Sequence, residues 1–202
     1  MRRTIARATE DLSMIVARDP SIRTRAEALL HPALPALWTH RAAHVLHLRG
    51  HRQIARILAY LARTATGGIE IHPAARLGRR VFIDHGAAVV IGETVEIGDD
   101  VTIFHQVTLG AVGWWRDERR KPGARRHPKV GSRVVIGTNA IVLGPVTVGD
   151  DALIGAGSLV LADVPAGARV MAPVAEVVPR PSAEDREDSA QLLRALATSG
   201  CW

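Results

Sequence analysis

An aliphatic residue recurs every six positions between residues 71 and 160, and this period constrains the fold more than any other feature. Glycine commonly follows it, and a small or β-branched residue comes four places after it. A period of six fits neither a helical face nor a plain alternating strand. It does fit short strands joined by tight corners, three to a coil of a parallel β-helix. The aliphatic positions are Ile71, Leu77, Ile83, Ile91, Ile97, Ile103, Leu109, Val130, Ile136, Val142, Val148, Ile154 and Val160.

The repeat divides the chain into three segments. Before Gly67 the apolar residues recur at helical spacing, and a first short helix should end at Asp19, because a residue before proline avoids the helical conformation. We therefore predict a mainly β protein with an α-helical N-terminal part. Its domains are a helical domain over 1–66, a β-helix domain over 67–178, and a C-terminal tail over 179–202 whose Pro-rich, acidic start suggests flexibility.

The six-residue period is interrupted twice. Between Ile83 and Ile91 the step is eight residues, so two extra residues must leave the regular corner. Between Leu109 and Val130 the step is 21 residues, which predicts a long loop over 110–129. Loops of this length within a compact domain are often functional.

Titratable side chains lie at both interruptions. His85, with Asp84 beside it, occupies the long corner, and His127 lies at the base of the loop. A histidine supported by a carboxylate fits a general base. Glu70, 15 residues before His85 in a coil of about 18, can fall on an adjacent rung. An exposed corner histidine with no catalytic role is the alternative.

Composition excludes several classes of protein. No apolar run reaches the roughly 20 residues that span a bilayer, and the N-terminus lacks the apolar core of a secretory signal. Cys201 is the only cysteine, which rules out an intrachain disulfide and fits a cytoplasmic location. Net charge is +6, but the basic segment 116–129 contains acids and no aromatics, so it favours a phosphate-bearing ligand over nucleic acid.

Four histidines recur along one face of the predicted helix at residues 37–48 and just beyond it. His40, His44, His47 and His51 have a spacing that metal sites use. No cysteine and no nearby acid joins them, so we interpret them as packing residues and predict no metal.

Four motifs, "IHPAA", "IDH", "IGET" and "RHPKVG", follow an upstream "ARDPS". Together they resemble the bacterial serine O-acetyltransferases of the hexapeptide-repeat acyltransferase superfamily over about residues 10–170. The resemblance implies a left-handed β-helix that transfers acetyl from acetyl-CoA to L-serine, giving O-acetyl-L-serine for cysteine biosynthesis. It also implies acetyl-CoA as co-substrate, no tightly bound cofactor, and a homotrimer that can pair into a dimer of trimers.

The same resemblance assigns catalytic roles. His85 would deprotonate the serine hydroxyl, Glu70 would orient His85, and Asp84 would complete the catalytic group. Arg126 and His127, with Asp84 and with Asp19 from the helical part, would bind the charged ends of the amino acid. Carboxylates suit an α-amino group, and arginine and histidine suit an α-carboxylate.

The acetyl-CoA site follows from the resemblance as well. Backbone N–H groups near Gly110 and Ala111 would hold the thioester oxygen as it becomes an oxyanion. Thr138 and Ala156 match positions that face the pantetheine arm, in a groove between neighbouring β-helices of the trimer.

Departures from the family keep alternatives open. The loop is long and carries Trp114 and Trp115, so another hydroxy-amino acid or a sugar is an alternative acceptor. The chain ends in Trp202 where the family often has isoleucine, so we do not predict a complex with O-acetylserine sulfhydrylase. A non-catalytic scaffold remains, as does a γ-type carbonic anhydrase, whose zinc ligands would come from His72, His85, His105 and His127.

Overall fold

A computed structural model describes residues 2–121, 123–177, 187–191 and 194. Its contacts divide the chain into one compact unit, Met1–Ala172, and a second, Pro173–Trp202. Among these residues, none of the helices has the length and apolar character that crossing a bilayer would require. Most of the predicted tail, with Cys201 and Trp202, lies outside the described residues.

The N-terminal part is helical, as predicted. Its helices are α1 (Arg2–Arg18), α2 (Arg25–Ala28), α3 (Ala33–Leu48) and α4 (Arg52–Ala65). α1 ends directly before Asp19 and Pro20, and Gly50 turns the chain between α3 and α4 with a φ of 88°. The apolar pattern did not predict α2, which begins with a local capping box between Thr24 and Glu27.

The rest of the compact unit is a left-handed parallel β-helix, which confirms the predicted fold. The strands are β1 (Glu70–Ile71), β2 (Arg76–Leu77), β3 (Phe82–Ile83), β4 (Val90–Ile91), β5 (Glu96–Ile97), β6 (Thr102–Ile103), β7 (Thr108–Gly110), β8 (Lys129–Val130), β9 (Val135–Ile136), β10 (Ile141–Leu143), β11 (Thr147–Val148), β12 (Leu153–Ile154), β13 (Leu159–Val160) and β14 (Arg169–Val170). A short helix, α5 (Trp114–Asp117), lies in the loop between β7 and β8.

Strands three apart along the chain pair in parallel, except that β14 pairs with β12, so the coil has three flat sides. Sheet A has the order β1-β4-β7-β10-β13, sheet B β11-β8-β5-β2, and sheet C β14-β12-β9-β6-β3. The predicted inward residues stack in register, for example Ile91 on Leu109 and Ile103 on Ile136. These four side chains are fully buried, whereas Leu77 is only partly buried.

Three edges separate these sides, and each edge is a column of stacked corners. The AB edge comprises residues 72–75, 92–95, 111–121, 123–128 and 144–146; the BC edge 78–81, 98–101, 131–134 and 149–152; and the CA edge 84–89, 104–107, 137–140 and 155–158.

The helices pack on the coil through one continuous hydrophobic core, which includes Ile15 and Leu37. Two of the four helical histidines bond to the first corner of the AB edge: His40 Nε2 lies 3.2 Å from the Ala75 carbonyl and His44 Nδ1 lies 2.7 Å from the Pro73 carbonyl. Secondary structure changes between Ala65 and Glu70, but because the core is continuous there, the domain boundary at residue 66 stays a prediction.

Candidate active site

The corner between β3 and β4 is two residues longer than the corner between β6 and β7, and the extra residues form a bulge. The shorter corner has one left-handed residue, Gln106, with a φ of 61°. The longer corner has three: His85 at 58°, Gly86 at 72° and Ala88 at 54°. Non-glycine residues rarely adopt this conformation, and it clusters at functional sites. The sequence interruption is therefore a backbone feature that makes His85 protrude.

The His85 side chain is 73% exposed, which suits a group that must meet a substrate. Its Nε2 lies 3.8 Å from Oδ2 of Asp84, which is largely buried. The ring of His105, from the next coil, meets the His85 ring edge-on at a centroid distance of 5.6 Å. His105 Nδ1 is buried and has no hydrogen-bond partner among the described residues.

Asp19 reaches this corner from the end of α1, as the resemblance implied. The Ser21 hydroxyl and backbone N–H donate to its Oδ1 at 2.6 and 2.9 Å, and these bonds lower the pKa of Asp19. Its Oδ2 lies 3.9 Å from Nε2 of His31. One ligand atom each from Asp19, His31 and Asp84 lie within 4.8 Å of one another. The structure thus brings Asp19, Asp84 and His85 to one end of the CA edge.

The AB edge holds a second group of candidate site residues, in which the "IGET" segment contacts the "RHP" segment. A Cβ on Gly92 would collide with the His127 imidazole, so only glycine leaves room for that ring. The Thr94 hydroxyl accepts the backbone N–H groups of Arg126 and His127 at 3.0 and 3.1 Å, and it lies 2.8 Å from His127 Nδ1. The Arg126 guanidinium pairs with Glu93.

These contacts fix the hydrogen-bonding state of His127. The Thr94 backbone N–H donates to Nδ1 at 3.2 Å, so the neutral ring carries its proton on Nε2. Burial lowers the pKa of His127, and the neighbouring Arg126 lowers it further. At neutral pH, His127 therefore offers an N–H donor, which is what binding a carboxylate requires.

The loop helix α5 supports the same group. Asp117 Oδ2 accepts a bond from Arg126 at 3.2 Å, and its Oδ1 accepts one from Arg120 at the same distance. Arg126 is thus held by two carboxylates, those of Glu93 and Asp117. Trp114 and Trp115 are mostly exposed on this helix.

The remaining predicted residues lie along both edges. Gly110 ends β7, and Ala111 begins the loop at the AB edge; the Gly110 carbonyl accepts the Gly144 N–H at 2.9 Å. Thr138 and Ala156 lie one coil apart on the CA edge. Both are at least partly exposed, as a ligand groove requires.

Glu70 lies in sheet A, between the two edges. Its carboxylate pairs with Arg63 at 2.8 Å, and the described contacts of His85 go to Asp84 and His105. The orienting role of Glu70 stays a prediction.

A single chain does not unite the predicted site. Asp84 and His85 precede β4, whereas the segment that holds Arg126 and His127 follows it, so one side of the coil separates the two groups. The histidines considered for zinc divide likewise, with His85 and His105 on one edge and His72 and His127 on the other.

Sequence reasoning missed Glu93, Thr94 and His31. The "IGET" motif is visible in the sequence, but its contacts with Arg126 and His127 join residues about 33 positions apart, which no local pattern reveals. A signal for His31 was present: "HPA" occurs twice, and in both copies the His Nδ1 accepts the alanine N–H, at 3.2 Å for His31 and 3.0 Å for His72.

A left-handed coil of hexapeptide repeats, with a histidine on a bulged corner and a long basic loop, defines a hexapeptide-repeat transferase. The family model described as "Bacterial transferase hexapeptide (six repeats)" matches residues 127–162. Serine acetyltransferase from Helicobacter pylori is 49% identical over 168 residues, which cover 83% of this chain and 94% of that protein. The one from Mycobacterium tuberculosis is 47% identical, over 83% and 70%.

Solved structures of serine acetyltransferases are similar to this chain as well. Neisseria gonorrhoeae serine acetyltransferase in complex with serine is 36% identical, with a TM-score of 0.75, over 90% of this chain and 70% of that one. The Brucella abortus enzyme in complex with coenzyme A is 35% identical, with a TM-score of 0.76, over 88% and 68%. The chain belongs to the serine acetyltransferase family.

Proposed function

We propose that this chain transfers the acetyl group of acetyl-CoA to the hydroxyl of L-serine, giving O-acetyl-L-serine and CoA for cysteine biosynthesis. The observation that carries the proposal is the bulged corner, which exposes His85 beside Asp84, and the Asp84 carboxylate lies in turn near that of Asp19. The relatives bound to serine and to coenzyme A support the two substrates. Acetyl-CoA acts as a co-substrate, with no tightly bound cofactor, and we expect the enzyme in the cytoplasm.

The proposed mechanism begins at His85. Its imidazole removes the hydroxyl proton as the serine oxygen attacks the thioester carbon, and Asp84 and Glu70 stabilise the imidazolium that forms. Backbone N–H groups near Gly110 and Ala111 bind the oxyanion. When the tetrahedral intermediate collapses, the carbon–sulfur bond breaks and the imidazolium returns its proton to the CoA thiolate.

The ammonium and carboxylate groups of L-serine each match protein side chains of complementary charge. Its ammonium group fits Asp19 and Asp84, whose carboxylate oxygens lie close together near His85. Its carboxylate fits Arg126 and the Nε2–H of His127.

Because these two sets lie on different edges, we propose that each site forms between two copies of a homotrimer. If the CA edge of one copy meets the AB edge of the next, the contacts are heterologous and close into a ring after three copies. Thr138 and Ala156 would then line a groove that faces the basic loop of the neighbouring copy. The pantetheine arm fits that groove, and the loop arginines suit the CoA phosphates. Pairing of two such trimers stays a prediction.

The first test measures release of free CoA from acetyl-CoA with L-serine, D-serine, L-homoserine and simple sugars as acceptors. We expect turnover that depends on L-serine. Turnover with a sugar or L-homoserine but not with L-serine would show a changed acceptor, and no turnover with any of them would contradict the proposal.

The second test mixes two variants that damage opposite edges. His85→Ala removes the base on the CA edge, and Arg126→Ala removes a carboxylate ligand on the AB edge. In randomly mixed trimers, about a quarter of the sites join two intact edges, so co-expression should restore about that share of activity at limiting L-serine. If each site lay within one chain, mixing would restore nothing.

A further inference from the structure

We propose that His31 is a positioning residue that holds the carboxylates of Asp19 and Asp84 in place for the ammonium group of the amino-acid substrate. The inference rests on the proposed function, because it needs L-serine to bind beside His85. His31 would act through the two carboxylates and would not touch the reacting atoms.

Packing holds the His31 side chain rigidly between the helices and the coil. His31 lies just before α3, and its side chain is only 7% exposed. Its ring packs on Phe82, with ring centroids 5.8 Å apart, and Phe82 lies two residues before Asp84 at the end of sheet C. The same imidazole therefore contacts the strand that leads to one carboxylate and faces the other at the end of α1.

A backbone hydrogen bond decides which ring nitrogen carries the proton. The Ala33 N–H donates to Nδ1 at 3.2 Å, so Nδ1 is the acceptor and the neutral ring carries its proton on Nε2. Burial lowers the pKa of His31, while Asp19 and Asp84 act in the opposite direction. At neutral pH the ring is neutral, and the nitrogen that carries the proton is the one that lies near the carboxylates, 3.9 Å from Asp19 Oδ2.

This proton assignment argues against a metal at the same three residues. An aspartate–histidine–aspartate group has the composition of a metal site, but a nitrogen that carries a proton has no lone pair to give to a cation. As a donor, the Nε2–H instead suits a carboxylate, and Asp19 Oδ2 lies 3.9 Å away, within electrostatic contact but beyond the length of a hydrogen bond.

The dimensions of the group suit an ammonium ion. Ligand atoms no more than 4.8 Å apart leave a position between the carboxylate oxygens that lies about 2.8 Å from each, the length of a charge-assisted hydrogen bond. Two carboxylates this close repel each other, and a fixed N–H donor near both would offset part of that repulsion and favour the orientation in which their oxygens face it. His31 would therefore prepare the ammonium site before the substrate arrives.

Two variants of His31 separate positioning from packing. His31→Asn keeps an oxygen that can accept the Ala33 N–H, as in an Asx turn, but it is too short to reach the carboxylates. His31→Gln keeps a terminal N–H donor at about the position of Nε2 and loses the short-range bond to Ala33.

The experiment measures kcat, KM for both substrates, L-serine binding by calorimetry, and Tm. For His31→Asn we expect a Tm near that of the wild type, an L-serine KM and Kd roughly three- to tenfold higher, and an unchanged acetyl-CoA KM. For His31→Gln we expect a lower Tm with an L-serine KM close to the wild-type value.

Each other outcome is decisive. An unchanged L-serine KM and Kd in His31→Asn overturns the inference alone. Equal increases in both variants also overturn it, because the loss would then follow packing and not the N–H donor. A wild-type enzyme that does not use L-serine overturns the proposed function, and the inference with it.

Discussion

At the BC edge and at the CA edge, the chain turns its corners through a left-handed residue, but the side chains at those positions differ. The BC residues Arg80, Asp100, Arg133 and Asp151 have φ values between 54° and 61°. They form ion pairs one coil apart. Nε and Nη2 of Arg80 donate to the Asp100 carboxylate at 2.7 and 2.5 Å, and the same two nitrogens of Arg133 donate to the Asp151 carboxylate, both at 2.7 Å. Ion pairs therefore accompany a backbone conformation that costs on the order of 1 kcal/mol per residue.

At the CA edge the equivalent residues are Ala88, Gln106 and Asn139, with φ values between 54° and 61°, and His85, at 58°, lies in the bulge that precedes Ala88. The backbone ladder is the same, since Gln106 and Asn139 donate to carbonyls one coil below at 2.8 and 3.0 Å. Among the described contacts, however, the side chains of Gln106 and Asn139 make no hydrogen bond or ion pair. The BC edge uses its side chains within the protein, whereas the CA edge leaves them available to a ligand. This difference distinguishes a structural edge from a binding edge more clearly than backbone geometry does.

The largest expected effect comes from His85→Ala. Because the side chain is 73% exposed, its loss should leave Tm unchanged, while removal of a general base should lower kcat by about 10²- to 10⁴-fold. Steady-state CoA release with saturating L-serine checks this. The matched control is Arg133→Ala on the BC edge, which should retain wild-type kcat. If His85→Ala and Arg133→Ala had similar kcat values, the CA edge could not be called a binding edge and the BC edge a structural one.

The sequence predicted the coil well because its information is local and repetitive. One buried residue in every six sets the strands, their register and the inward column, as Ile91 over Leu109 shows. The same period predicted the bulge at His85, because the strands on either side stay in register and two extra residues must therefore leave the regular corner.

The sequence could not predict which edge each site residue joins. Arg126 lies far along the chain from Glu93, and its position depends on how the loop and α5 fold back onto the AB edge. His31 is similar, because its contacts with Asp19 and Phe82 need the helices to be packed on the coil. These are tertiary contacts, and residue spacing does not encode them.

A smaller effect is expected from Thr94→Val, which tests whether the AB edge is also a binding edge. The variant keeps the side-chain volume but loses the hydroxyl that bonds the Arg126 and His127 backbone and His127 Nδ1. We expect the L-serine KM to rise roughly tenfold with little change in acetyl-CoA KM. Thr94→Ser retains the hydroxyl and should behave like the wild type, so a defect of equal size in both variants would indicate packing instead.

The smallest effect is expected from Asp100→Asn on the BC edge. The side chain accepts bonds from Arg80 and Arg18, and Asn tolerates the left-handed backbone, so the change removes charge with little strain. Bonding to Arg80 lowers the pKa of Asp100 below its ordinary 3.8. A carboxyl group with a lowered pKa stabilises the fold above its unfolded-state pKa, and this contribution is lost as pH falls through the folded-state pKa.

At pH 7 the Tm of the variant should therefore be only a few degrees below that of the wild type, because partly exposed ion pairs contribute little to stability. This difference in Tm should disappear as pH falls below about 4. Thermal unfolding from pH 2 to 8, with kcat measured at pH 7, checks both parts. If kcat fell while Tm held, the BC edge would have to be a binding edge like its neighbour.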